Sequence, residues 1–116
     1  MTKSLRILVV EDEMTIALLI EDMLTEMGHE VVALAMRLQP ALVHAQTADI
    51  DFAILDINLD GKQSFPVADI LTSRGVPFTF ASGYGSTGLG EAYTHHHVVR
   101  KPFQAQDLEH AIELAA

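Results

Sequence analysis

Four short runs of almost continuously apolar residues, separated by stretches of helical periodicity, constrain this chain more than any other feature. The runs are LRILVV (5–10), EVVALA (30–35), FAIL (52–55) and PFTFA (77–81), with HVV (97–99) as a weaker fifth. A strand with one wet face alternates apolar and polar residues. A run without alternation belongs to a strand covered on both faces, as in a parallel sheet. Between the runs, Ile16, Ile20, Met23, Leu24 and Met27 fall at helical spacing from Met14 to Met27, and Gly28 supplies a left-handed stop. Residues 38–46 make a shorter helix that tolerates Pro40 only in its first turn. Ser64 as N-cap and Pro66 in the first turn open a helix over 64–73. Leu108 and Ile112 mark one face of a last helix over 104–115. The stretch GYGSTGLGEAYT (83–94) carries glycines at 83, 85, 88 and 90, which undercut a helix, so a mobile loop with at most a short helix near its end is expected.

Strands and helices alternating at this spacing form βαβ units with right-handed crossovers. The expected fold is α/β and flavodoxin-like. It is a three-layer sandwich with a five-stranded parallel sheet of order 2-1-3-4-5 and about five helices, the fourth short or disordered. The chain of 116 residues suits one domain, 1–116, with no output domain attached. The net charge of −9 argues against nucleic acid and anionic membrane surfaces as partners, and fits a cation or a basic protein. Without cysteine there is no disulfide, no thiolate nucleophile and no Cys-type zinc site. The N-terminal apolar run is too short for a signal peptide, and no window reaches the roughly 18 apolar residues of a membrane span, so a cytoplasmic protein is expected.

In open α/β sheets the ligand site lies beyond the carboxyl ends of the strands. The first strand delivers Glu11 and Asp12 there, the third Asp56, the fourth Ser82 and the fifth Lys101. Three carboxylates this close resist joint ionisation unless a cation joins them, and all-oxygen ligands select magnesium, or manganese in its place. Magnesium pairs with phosphate. Asp56 then reads as a nucleophile that forms an aspartyl phosphate, with Lys101 and Ser82 neutralising and hydrogen-bonding phosphoryl oxygens.

Taken singly, each of these residues has a plainer reading. Glu11 and Asp12 suit the start of the first helix, Asp56 a turn cap, and Lys101 a solvated charge. GYGSTG (83–88) matches a dinucleotide-binding spacing but follows the wrong strand. The HHH run (95–97) cannot converge three ligands from an extended strand, and His29, His44 and His110 are expected on the surface.

The four motifs ILVVEDE, ILDINLDG, FASG and RKPF, in this order, resemble the receiver domain of two-component response regulators from about residue 5 onward. The resemblance implies that Asp56 is the phosphoacceptor, Asp12 a direct magnesium ligand, Glu11 an acid acting through water and the Asn58 backbone carbonyl a third protein ligand. It also implies that Ser82 is the switch hydroxyl, Lys101 the phosphate-neutralising lysine and Lys101–Pro102 a peptide bond that is often cis. Its phosphodonor would be a histidine kinase or histidine phosphotransfer protein, and the chain would catalyse only its own phosphorylation and dephosphorylation. Its downstream protein partner would dock through loop 83–94 and the last strand and helix, with dimerisation left open. The FASGYG stretch is similar to a subclass with a FATGxY-like motif, found as single-domain or kinase-attached receivers. Two rival readings stand beside this one, a non-phosphorylated interaction module of the same fold and an Asp-nucleophile phosphohydrolase. The hydrolase reading lacks a second acid, since that position is Asn58. Where receivers usually place a switch aromatic, three residues before the lysine, this chain has Val98, with Tyr84 or Tyr93 as substitutes.

Overall fold

The apolar runs become the strands of one parallel sheet. The computed structural model describes residues 4–83, 93, 97–101 and 104–115. In chain order the elements are β1 (Arg6–Val10), α1 (Met14–Glu26), β2 (Glu30–Ala35), α2 (Leu38–Thr47), β3 (Phe52–Asp56), β4 (Asn58–Leu59), β5 (Lys62–Gln63), α3 (Phe65–Arg74), β6 (Phe78–Ser82), β7 (Val98–Arg100) and α4 (Ala105–Ala115). The sheet runs β2-β1-β3-β6-β7, all parallel. With the small β4–β5 hairpin set aside, this is the expected 2-1-3-4-5 order. Most of the glycine-rich stretch (84–92 and 94, Tyr84 among them), where a short additional helix is expected, lies outside the described residues, as do two of the three consecutive histidines and Pro102.

The sheet separates two apolar layers by simple alternation. Leu8, Val10, Ala53, Leu55, Phe78 and Phe80 point to one face, where Ala41 and Ala45 of α2 and Val67, Ala68 and Leu71 of α3 close over them. Ile7, Val9, Phe52 and Ile54 point to the other, against Ile20 and Leu24 of α1 and Leu108, Ala111 and Ile112 of α4. All five residues of β3 and all five of β6 are buried, which explains why their sequences carry no polar alternation. β2 lies at the sheet edge and is only partly covered.

Two local expectations change. Ser64 does stand at the start of α3, with Pro66 just inside, but its side chain makes no cap hydrogen bond and its hydroxyl is buried without a partner. His29 is buried rather than on the surface, because its Nδ1 accepts the Leu5 N–H at 3.0 Å just before β1. Gly28 has φ +90 and follows the last turn of α1, where only glycine adopts that backbone without strain.

At the amino ends of the strands Arg6 is held by Asp51 at 3.0 Å and also by Asp49. The opposite, carboxyl ends gather a different set of charges.

Candidate functional site

The sheet register brings the site together. Val10 pairs with Leu55 across β1 and β3, so Glu11 and Asp56, each one residue further on, emerge side by side. Asp56 pairs with Ala81, and Ser82 with Arg100, which puts Ser82 and Lys101 at the same edge. The Lys101 N–H donates to the Ser82 carbonyl at 2.9 Å, so the backbone itself fixes where the lysine leaves the sheet. Carboxylate oxygens of Glu11, Asp12 and Asp56 all lie within 4.8 Å of one another.

Glu11 is 1 % exposed, Ser82 5 % and Asp56 9 %. Lys101 Nζ donates to Glu11 Oε1 at 2.7 Å and lies 3.4 Å from Asp56 Oδ2. The other Glu11 oxygen, Oε2, is buried with no hydrogen-bond partner. A buried carboxylate oxygen without a donor is costly and suits a cation or its bound water.

The Asp56 carboxyl is pushed well above the usual range, from 3.8 to about 8. Burial is the main cause, reinforced by the hydrogen bond and charge of Glu11; the Lys101 ammonium pulls the other way. Burial alone would lower Lys101, but Glu11 and Asp56 outweigh it and hold the ammonium above its ordinary value.

Asp12 does not cap α1. The residue at that cap is Glu13, which makes no side-chain cap bond, while Asp12 Oδ2 accepts the Asp60 N–H at 2.9 Å. That bond comes from the β4–β5 hairpin, in which Asn58 pairs with Gln63 and Leu59 with Lys62. Its two-residue loop, Asp60-Gly61, has φ +51 and +85, the backbone that an Asp-Gly hairpin turn requires. Asn58 opens β4 two residues after Asp56, and its side-chain oxygen accepts the Gly61 N–H at 3.1 Å.

Sequence reasoning leaves out this hairpin, and leaves out Arg37, whose guanidinium lies 3.5 Å from Asp60 Oδ2. The Asp-Gly dipeptide is the signal for the hairpin; Arg37 has none, since its place depends on tertiary structure. Tyr93 also takes a defined place. Its ring stacks on Phe65 at 5.8 Å and meets Phe80 edge-on at 5.4 Å, and its hydroxyl donates to Asp69 of α3 at 2.6 Å. Val98 packs against the same apolar layer. The rings of His97 and His110 meet edge-on with centres 6.2 Å apart.

A family model described as the response regulator receiver domain matches residues 7–113. The transcriptional regulatory protein PdtaR of Mycobacterium tuberculosis is 32% identical over 95% of this chain, and the match covers 56% of that protein, so the chain spans about half the length of the curated relatives it matches. Among solved structures, SdrG of Sphingomonas melonis Fr1 superposes with a TM-score of 0.84 at 34% identity, covering 97% of both chains. The response regulator PhyR of Brucella abortus gives 0.83 at 30% identity over 97% of this chain and 48% of that one. The receiver domain of Erythrobacter litoralis PhyR gives 0.84 at 29% identity over 97% of this chain and 89% of that one. Sheet order, an acid cluster at the carboxyl edge and the extent of these matches agree, and the chain belongs to the receiver domains of response regulators.

Proposed function

We propose that this receiver domain accepts a phosphoryl group on Asp56 from a histidine kinase or histidine phosphotransfer protein and passes the signal on by changing its protein contacts. The observation that carries this is the position of Asp56: a buried carboxylate at a strand end, 3.4 Å from an ammonium and within 4.8 Å of two further acids. In the transfer, an Asp56 oxygen bonds to phosphorus as the phosphorus–nitrogen bond of the phosphohistidine breaks. The imidazole leaves with its electron pair and takes up a proton. Asp56 reacts only when ionised, so the Lys101 ammonium has two roles. It favours the carboxylate beforehand and neutralises a phosphoryl oxygen afterwards.

The donor set fits magnesium, with manganese as a substitute: Glu11, Asp12 and Asp56 offer hard oxygens, and the unpartnered Glu11 Oε2 invites a cation or its water. Asp12 and Asp56 would hold the ion directly, Glu11 largely through water, and the Asn58 backbone carbonyl would complete the protein's share. When bound, the ion neutralises charge that builds on the phosphoryl oxygens. Ser82 hydrogen-bonds the phosphoryl group. The response passes to residues 83–94, β7 and α4, with Tyr93 taking the coupling role that Val98 cannot. Such a domain folds as one unit and works in the cytoplasm. The exposed side chains of Met14, Leu18 and Leu19 at the start of α1 give a phosphodonor protein an apolar surface beside the site.

The test is incubation with magnesium and either acetyl phosphate or a cognate kinase, followed by intact mass. A gain of one phosphoryl group that vanishes in Asp56→Asn is the expected result. No gain from any donor leaves only a receiver-fold interaction module, and many phosphates released per chain from phosphate monoesters would make it a hydrolase.

A further inference from the structure

We propose that Arg37 receives the anionic phosphodonor at the mouth of the site. This rests on the reading that Asp56 accepts a phosphoryl group. Arg37 stands between β2 and α2, outside the motifs that carry the family resemblance. It shares a cleft of about 260 Å³ with Asp12, Met36 and Asp60. One wall of that cleft is therefore a member of the acid cluster, and Arg37 is the cation among the described residues that line it.

The state of its ion pair decides what Arg37 is free to do. Its partner Asp60 is 3.5 Å away, and both side chains are open to solvent, at 75% and 77% exposure. A pair this long and this wet contributes little, so exchanging it for an incoming anion costs little. Lys101 is in the opposite position: half-buried, and held at 2.7 Å by Glu11. It serves a phosphoryl group that has already arrived. A donor approaching a chain of net charge −9, at an edge lined by carboxylates, meets repulsion first. A guanidinium on the Asp12 side of the opening counters this, and its planar fork fits two phosphoryl oxygens at once.

Two plainer roles make distinct predictions. As a solvated surface charge, Arg37 would alter nothing at the site. As a positioning residue, it would act through Asp60, whose N–H holds Asp12, and would change metal affinity instead.

The experiment measures phosphorylation of Asp56 by acetyl phosphate at saturating magnesium in wild type, Arg37→Ala and Arg37→Lys, with the magnesium Kd of each determined separately. Arg37 is exposed and outside the core, so the variants keep the fold, which thermal unfolding checks. For Arg37→Ala the KM for acetyl phosphate should rise about fivefold with kcat and the magnesium Kd nearly unchanged. Arg37→Lys should recover part of the loss, and added salt should shrink the gap. An unchanged KM overturns the proposal in favour of the solvated charge. A parallel change in magnesium Kd overturns it in favour of positioning. Absence of phosphorylation in the wild type, from acetyl phosphate and from kinase alike, removes the acceptor reading itself and the proposal with it.

Discussion

Asp56 is placed where the fold works against its own ionisation, and that has a measurable price in stability. Its carboxyl titrates near 3.8 when free and at about 8 in the fold, chiefly because it is buried and then because Glu11 is beside it. Between those values the folded state binds more protons than the unfolded one. The favourable contribution is therefore fully present below the lower value and is lost as pH rises toward the upper one. Without divalent metal, stability should fall from pH 5 to pH 8, and Asp56→Asn should flatten that slope and be more stable at pH 8 by about 1–2 kcal/mol after allowance for solvent screening. Urea unfolding at several pH values in chelator checks this, and parallel slopes for the two proteins would contradict it. Lys101 gives the opposite case. Lys101→Ala would leave Glu11 buried with neither oxygen partnered, since Oε2 already has none. The metal-free variant should lose about 3 kcal/mol, magnesium should bind and restore part of that loss, and phosphorylation of Asp56 should still be impaired. A variant as stable and as readily phosphorylated as wild type would remove Lys101 from its assigned place.

The β4–β5 hairpin shows how an element too small to carry a core can still set chemistry. It donates the Asp60 N–H to Asp12 and depends on Gly61 at φ +85. A Cβ at Gly61 would meet nothing within 4 Å, so Gly61→Ala isolates the backbone cost, about 1 kcal/mol. Magnesium should bind that variant several-fold more weakly, by titration, if the hairpin holds Asp12; equal affinity would show that it does not. Tyr93→Phe keeps the ring among Phe65, Phe78 and Phe80 and removes the hydroxyl that bonds Asp69. It should cost about 1 kcal/mol in unfolding free energy while leaving Asp56 phosphorylation intact. If Tyr93 carries the response, the change that phosphorylation produces in amide exchange of α3 should shrink. Patterning located every strand of the main sheet, most plainly β3 and β6, where burial on both faces leaves an apolar run with nothing to disguise it. It stops β3, β6 and β7 one residue short of the site. Apolar side chains end at Leu55 and Ala81, but the ladder continues through Asp56 and Ser82 to Arg100. The site acids were legible for the same reason, as charges directly after buried runs. His29, Arg37 and Tyr93 were not, because their surroundings come from residues 23 to 24 positions away: Leu5, Asp60 and Asp69.

Across the whole molecule charge is divided between the two ends of one sheet. The amino edge is closed internally, with Arg6 held between Asp49 and Asp51. The carboxyl edge is left unbalanced, with Glu11, Asp12 and Asp56 around the ammonium of Lys101. Because β1 and β3 carry these acids and also form the centre of both apolar layers, repulsion at the edge is felt by the whole cooperative unit rather than by a loop. A cation that joins the acids should therefore stabilise global unfolding. At a free magnesium concentration 100-fold above Kd, linkage gives about 2.7 kcal/mol, and for a domain of this size that raises Tm by roughly 10–20 °C. Sodium chloride at equal ionic strength should do much less, since the acids lie within 4.8 Å of one another, inside the roughly 8 Å screening length of physiological salt. Asp12→Ala should lose most of the magnesium response and keep the sodium response. Equal shifts from the two salts, or an undiminished magnesium shift in Asp12→Ala, would mean that the acids act only as a diffuse negative field and that no ion is held among them.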